Sequence, residues 1–406
     1  MSLHWLLASR ASSNLMKENK VAACGDLLKE ADFKDSDQRQ KLRNLVSAPD
    51  EYIMLRRVLG IYPLTSLFVS HGVSKWHADA HKSFSNEPPV NWQTIRYVPG
   101  QKIDGGSVRQ IVAQPQRDSL GIPVYSPEQL EALFRIYAPV WEIQHQADDD
   151  RIGTPYWTGK GVLDVDTHKP LTYTLLSYTH FEKQILAQLN YIIWFPARSK
   201  QSDWDLYGGL LDGLIYRVTL DSSGAPLIYE TVHNCGYHYR AYPTRRLQVR
   251  AEIDYAEPPL VLKAPDLNSS KDFITIAREN RTHTVQHLYP RSREHQSDGT
   301  AYSLADYGQL RSLPYSSVHR RSMFDQYSFA AYAFKFSGSR QEWTCLSAKN
   351  RHKNQVDPGS SWRSISWARR SQKSGIWPTH RFALRCRPIM YTSFCSPGVP
   401  FFSCCG

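Results

Sequence analysis

The feature that most constrains the fold is a series of strand patterns in the middle of the chain. Residues 189–195 form an almost uninterrupted apolar run, which is typical of a central strand buried on both faces. Two segments rich in β-formers follow, 213–220 and 226–232, and the turn residues 221–224 between them predict a β-hairpin. A chain with this centre has to build a sheet around it.

Helical patterns flank this centre. Residues 12–48 are polar and amphipathic, and Pro63 predicts that a following helix ends near Ile61. A capping box, with Ser126 before a proline at the first helical position, predicts another helix, and a short one is expected at 181–188. The predicted fold class is α+β: a helical N-terminal region, then an antiparallel sheet-centred domain, then a poorly ordered C-terminal tail.

Four regions follow from these patterns and from composition. We expect a mainly helical N-terminal region over 1–84, and a Pro- and Gly-rich irregular connection with one helix over 85–138. An antiparallel β-rich domain is expected over 139–325 and a basic Ser/Arg/Cys/Trp-rich tail over 326–406.

The positive charge of the chain is concentrated in that tail. The chain has 49 Lys and Arg against 38 Asp and Glu, a net charge of +11. Residues 337–406 hold 11 of the basic and two of the acidic residues, or +9, so the other 336 residues carry only +2. The body therefore has no specific nucleic-acid signal.

The composition of the tail allows several interpretations. It holds five of the seven cysteines, but its last two are adjacent, Cys404 and Cys405, which a disulfide-rich module would not favour. Basic and aromatic residues alternate only briefly around Trp367, so a nucleic-acid-binding tail is weakly supported. Ser, Arg, Trp and Cys without periodicity favour a frame-shifted or fused segment, and a disordered basic tail is the alternative.

Zinc-type ligands cluster directly after the predicted hairpin. His233, Cys235 and His238 supply the imidazole and thiolate groups that zinc prefers, and His283 and His287 are predicted on one side of a strand. Three or four of these five would complete a tetrahedral site. The spacing fits no standard zinc finger, so a structural turn is the alternative, as is Cys235 acting as a nucleophile activated by a neighbouring histidine.

The acidic run 148–150 offers carboxylates for a general base. Asp148 and Asp150 precede a glycine turn, but the run lacks the alternate acids and the final Glu of an EF-hand. A solvated loop is the alternative.

Compartment is undecided between cytoplasm and periplasm. The apolar start of the chain stops at Arg10, which is too short for a convincing signal peptide. No run of about 18 apolar residues predicts a transmembrane helix.

Five segments resemble an uncharacterised family of proteobacterial proteins over roughly residues 50–325. They are QLNY at 188–191 with WFPAR at 194–198, DLYGGLLDGL at 205–214, HNCGYH at 233–238, DDDRIG at 148–153 and EPPLV at 257–261. The family brings no established activity, fold or cofactor. It has a further cysteine where this chain passes directly from Gly236 to Tyr237, and the tail after Phe324 does not match it.

Two functions remain open at this point. The first is a non-catalytic bacterial binding or envelope-associated structural protein with an unidentified partner. The alternative is a metal-dependent hydrolase, with zinc at 233–238 and Asp148 or Asp150 as the base. Whether the protein is an enzyme is left open, because function must be argued from a site and this one is incomplete in the sequence.

Overall fold

The computed structural model describes most of the chain up to Phe324 and a short segment beyond it. The described residues are 20, 23–45, 62–100, 111, 115–181, 184–199, 209–234, 238–249, 259–267, 272–295, 298–324 and 367–369. They belong to two compact units: residues 1–49, 116–124 and 389–406 form one, and residues 50–115 and 125–388 form the other. The interpretations of the tail concern mainly residues outside the described part.

Strands dominate the second unit and helices the first. The α-helices with described bounds are α1 (Ser36–Leu45), α2 (Tyr62–Ser83) and α3 (Pro127–Ile136), and residues 23–33 are also helical. The strands are β1 (Thr94–Pro99), β2 (Gln116–Arg117), β3 (Pro123–Val124), β4 (Val140–Gln144), β5 (Thr154–Trp157), β6 (Leu163–Asp166), β7 (Leu171–Phe181), β8 (Gln184–Arg198), β9 (Gly209–Leu220), β10 (Pro226–His233), β11 (Arg240–Pro243), β12 (Leu247–Val249), β13 (Leu260–Val261), β14 (Asp272–Arg278), β15 (Val285–Ser292), β16 (Thr300–Asp306), β17 (Leu313–Pro314), β18 (Arg320–Arg321) and β19 (Trp367–Arg369).

The first unit is small. Its two-stranded ladder pairs β2 with β3. Arg39 of α1 donates to the Ser119 carbonyl at 3.1 Å, and Lys29 lies 3.7 Å from the Asp118 carboxylate. These contacts join helical residues to the segment 116–124.

The second unit contains an eleven-stranded sheet with the order β13-β11-β10-β9-β8-β7-β16-β1-β4-β14-β15. Four of its ten neighbouring pairs are parallel: β13–β11, β7–β16, β16–β1 and β4–β14. The other six pairs are antiparallel. The sheet is therefore mixed.

Strand β8 lies between β7 and β9 and is buried on both faces. Leu189, Tyr191 and Ile193 pack into one hydrophobic cluster, whereas Ile192 and Trp194 pack into the other. This confirms the central strand that the apolar run predicts. The β9–β10 hairpin is also confirmed, with Leu220 paired to Pro226.

The capped helix is confirmed as α3. The Ser126 side chain accepts from the Gln129 backbone amide at 3.2 Å, and the Gln129 side chain accepts from the Ser126 amide at 2.9 Å. Its buried face presents Leu133, Phe134 and Ile136.

The sheet curls until its two edges face each other. Asn86 donates to the Lys263 carbonyl beyond β13 and to the Leu288 carbonyl of β15, at 3.2 and 2.8 Å. Arg240, at the start of β11, donates to the Val285 carbonyl at the start of β15. These strands lie at opposite ends of the strand order, so only curvature brings their residues into contact.

The predicted fold class, α+β with a helical N-terminal region and an antiparallel sheet-centred domain, is wrong, because the described residues are organised mainly around one eleven-stranded mixed sheet. Strand β1 lies inside the region predicted to be an irregular connection, yet it pairs with β16 and β4 in the middle of the sheet. Parallel pairing joins segments that are distant in sequence and leaves no turn signal, so local patterns could not reveal it.

Two local expectations in the second unit are also wrong. The helix predicted at 181–188 is instead the passage from β7 to β8, where Phe181 pairs with Gln184. Pro63 does not end a helix but lies in the first turn of α2, where a missing backbone N–H leaves no intrahelical bond unmade. No helix within the described residues has the length and apolarity that a membrane crossing needs.

Candidate functional site

Five titratable side chains form a row at one end of the curled sheet. We call this row the histidine–aspartate chain; its members, in spatial order, are Asp150, His283, Asp212, His233 and His238. Asp212 is near the start of β9 and His233 ends β10, whereas His283 precedes β15. The row therefore exists only because the sheet curls.

Asp150 is held by backbone amides and is almost completely buried. Its carboxylate accepts from the amides of Gln146 at 2.8 Å, Ala147 at 3.0 Å and Arg281 at 3.0 Å. Burial opposes its ionisation, but His283 and these amides outweigh that effect and hold the pKa of Asp150 below its ordinary value. Asp150 is thus an ionised group that fixes the loop and reaches His283.

His283 connects the two carboxylates. Its Nδ1 donates to Oδ2 of Asp212 at 2.6 Å, and its Nε2 lies 3.5 Å from Oδ1 of Asp150 without an aligned hydrogen bond. The ring stacks on Phe195 of β8, with centroids 4.0 Å apart and planes 17° from parallel. Stacking and the short hydrogen bond fix the orientation of the imidazole.

Asp212 also faces His233. Nδ1 of His233 lies 3.6 Å from Oδ1 of Asp212, and within the described residues neither ring nitrogen of His233 has a hydrogen-bond partner. Burial would raise the pKa of Asp212, but its two histidine neighbours hold it well below the usual value. Burial lowers the pKa of His233 despite Asp212, so the pair consists of a carboxylate and a neutral imidazole.

His238 ends the row beside Trp76 of α2. Its ring centroid is 4.9 Å from that of His233 and 5.5 Å from that of Trp76. Burial, with the charges of His233, Arg198 and Arg240, lowers the pKa of His238 well below its ordinary value. Both histidines at this end are therefore neutral near pH 7.

The backbone around the histidine–aspartate chain is strained. Leu211, His238, Arg281 and His283 have positive φ angles of 62°, 55°, 58° and 52°, a region that non-glycine residues rarely adopt. Each such residue costs on the order of 1–3 kcal/mol, and such strain is concentrated at functional sites in proteins. Gly213 relieves one further crowded point, because a Cβ there would collide with Asn234 and with the Ile193 carbonyl.

The structure brings together four of the seven predicted site residues, Asp150 and three histidines. His233, His238 and His283 belong to the histidine–aspartate chain, but His283 lies in a turn rather than on the strand that carries His287. His287 is separate: its Nδ1 donates to the Glu87 carbonyl at 2.8 Å, and its ring contacts Trp92 edge-on. Asp148 is 94% exposed and lies 3.3 Å from Arg151.

The remaining predicted residue, Cys235, lies outside the described residues. In the part of the chain that the structure describes, no three His, Cys, Asp or Glu side chains are arranged to hold a metal ion. The predicted zinc site thus depends on Cys235 and stays a prediction.

Sequence reasoning missed Asp212, Trp76 and two buried arginines, Arg240 and Arg278. Asp212 alone carried a signal, because it is an acid within the strand pattern next to the predicted hairpin. Trp76 comes from α2 and the two arginines come from strand ends, and their proximity depends on the curled sheet.

Comparisons with known proteins identify no family. No family model matches the chain, and a search of curated proteins finds no match. A solved structure titled "Toxin fold for microbial attack and plant defense" aligns with 53% of this chain and 95% of its own, with 14% identity and a TM-score of 0.28. A likeness at that TM-score carries no argument, so the proteobacterial resemblance stays a prediction.

The ionised state of Asp150 predicts an acid-dependent stability. The folded-state pKa of Asp150 lies below the ordinary value of 3.8, so the unfolded protein binds the proton more readily. The stability that ionised Asp150 contributes near neutral pH is therefore lost as the pH falls through the ordinary pKa towards the folded-state pKa. Asp150→Asn should lower the free energy of unfolding at pH 7 by about 2–3 kcal/mol and flatten its decline between about pH 5 and 3. Urea unfolding across this pH range measures both effects.

Asp148→Asn is the matched control in the same loop, because its side chain is exposed. It should leave stability within about 0.5 kcal/mol of the wild type. Equal pH profiles for Asp150→Asn and the wild type would contradict the assignment of Asp150.

Proposed function

We propose that the protein is a binding protein, and that its ligand contacts the His233–His238 end of the histidine–aspartate chain. The observation that carries the proposal is His233. Its side chain is buried and its Nδ1 faces the Asp212 carboxylate, whereas its Nε2 is without a hydrogen-bond partner in the described residues. Buried polar atoms in native proteins are normally paired, so a ligand that supplies a partner would explain the unpaired Nε2.

The backbone strain supports the same conclusion. Positive φ angles at His238 and His283 destabilise the fold, and the contacts within the histidine–aspartate chain hold both residues in place. A site maintained at such a cost is better explained by ligand recognition than by stability alone.

The arrangement of the carboxylates favours binding over catalysis. Asp150 accepts from three backbone amides, and Asp148 projects into solvent away from the chain. A general base has to reach the proton that it abstracts, and neither of these two carboxylates is placed beside His233 or His238. The carboxylate that does face His233, Asp212, is already engaged by His283. The envelope-associated structural role rests on no observation beyond the sequence and stays a prediction.

A metal-dependent hydrolase is the second candidate. Its support is that the rings of His233 and His238 lie close together, with centroids 4.9 Å apart, and that imidazole nitrogens are ligands that zinc prefers. These two residues flank Cys235, the predicted third ligand. This candidate keeps Asp148 or Asp150 as its base.

Replacement of His233 by leucine tests the proposed binding role. His233→Leu removes an unpaired buried nitrogen but also the attraction of His233 to Asp212, so we expect the free energy of unfolding without ligand to change by less than about 1 kcal/mol. His287→Leu is the control, since it breaks the bond to the Glu87 carbonyl and should lose about 0.5–1.5 kcal/mol. Urea unfolding of both variants gives the comparison.

A loss above about 2 kcal/mol in His233→Leu would make His233 a structural residue and contradict the proposal. A turnover that disappears selectively in this variant would favour the hydrolase.

Metal content separates the two candidates. For a binding protein without a metal centre, purified full-length protein should hold no stoichiometric zinc or iron, and its melting temperature should not change with a chelator. The hydrolase predicts about one zinc per chain, lost in Cys235→Ser, with unfolding promoted by chelation. Elemental analysis of the wild type and Cys235→Ser decides between them.

A further inference from the structure

Two arginines beside the histidine–aspartate chain are buried without an ion pair. Arg240 is 2% exposed and Arg278 is fully buried. Each of the two lacks a salt bridge to any carboxylate among the described residues, although other arginines of the sheet, such as Arg96 and Arg217, have one. A buried cation normally pairs with an anion, because water no longer stabilises its charge.

The positive charge of Arg278 is partly compensated within the histidine–aspartate chain. Its Nε donates to the His283 carbonyl at 2.7 Å, and its guanidinium lies 4.6 Å from the centre of the Phe195 ring. Asp212 and Asp150 attract its charge from a greater distance. Its location is therefore explained by the two carboxylates that His283 connects.

Arg240 is compensated by the Tyr242 hydroxyl rather than by a paired carboxylate in the described residues. It donates through one terminal nitrogen to the Val285 carbonyl, and its Nε is without a partner in the described part of the chain. The carboxylate whose attraction reaches it is Glu279, which is already engaged by Thr282 and Gln286.

Arg240 also lies beside an aromatic ring and close to two imidazoles. Its guanidinium lies 5.7 Å from the centre of the Trp76 ring, which also contacts His238 and His77. Arg240 disfavours protonation of both histidines and contributes to their lowered pKa values. The Trp76 ring is thus surrounded by one permanent cation and two imidazoles, with no carboxylate among its ring contacts.

We propose that Arg240, with His238 and the Trp76 ring, receives an oxyanion group of the ligand, either a phosphate or a carboxylate. This inference rests on the proposed binding function and names its ligand class. A guanidinium presents its N–H groups as a planar fork that matches the oxygens of both anions. The unpaired Nε of Arg240 would supply a donor for such a group, and the neutral ring of His233 can add one N–H.

The test measures anion binding to the full-length protein with defined probes. Inorganic phosphate and acetate are titrated separately against sodium chloride at equal ionic strength, with calorimetry and thermal unfolding as readouts. We expect at least one of the two to bind and to raise the melting temperature in a saturable manner. The tighter of the two identifies the chemical source of the oxyanion.

Three variants connect this binding to Arg240. Arg240→Gln should weaken affinity about tenfold or more, because it removes a charged donor. Arg240→Lys keeps the charge but not the fork, so its affinity should fall between that of Arg240→Gln and the wild type. Arg245→Gln is the control, since Arg245 is 75% exposed and already paired with Asp266; it should bind like the wild type.

Several results would overturn the inference. If neither phosphate nor acetate binds more tightly than chloride, an oxyanion ligand is excluded. The proposed binding function would then still be tested separately by His233→Leu. Wild-type affinity in Arg240→Gln would place the anion elsewhere. If that variant does not fold, wild-type affinity in Arg240→Lys overturns the inference in the same way.

Discussion

The contact between Asp212 and His283 is the interaction on which the site depends. Asp212 belongs to β9, and His283 lies in the turn between β14 and β15, six strands away in the sheet order. In a flat sheet, with strands about 4.8 Å apart, six strands would separate them by roughly 29 Å. The 2.6 Å hydrogen bond therefore requires the curl that also brings Arg240 to Val285.

Electrostatics explain why this contact can be buried. Asp150 and Asp212 are ionised, and His283 lies between them with Arg278 close by, so the two negative charges are compensated inside the protein. Beyond Asp212 the balance changes, because His233 and His238 are neutral and Arg240 has no ion pair with a carboxylate of the described residues. One end of the row thus carries compensated charges, and the other carries neutral imidazoles beside a buried cation.

Local chemistry predicts the elements of this fold better than their assembly. The apolar run of β8, the turn residues after Leu220 and the capping box at Ser126 each act within a few residues, and each prediction is confirmed. The parallel pairs of β1 and the curl depend on contacts between distant segments, so no local pattern encodes them. For the same reason the ligand-type residues could be identified, but not which of them meet: His287 is separate, and Asp212 joins the row.

A double-mutant cycle on Asp212 and His283 tests the central claim most directly. Unfolding free energies are measured at pH 7 for the wild type, Asp212→Asn, His283→Gln and the double variant. A buried, short hydrogen bond to an ionised carboxylate predicts a coupling energy above about 1 kcal/mol, within the range of about 0.5–3 kcal/mol found for residues in contact. Additive effects, with a coupling below about 0.3 kcal/mol, would contradict the contact and with it the curled sheet that creates the site.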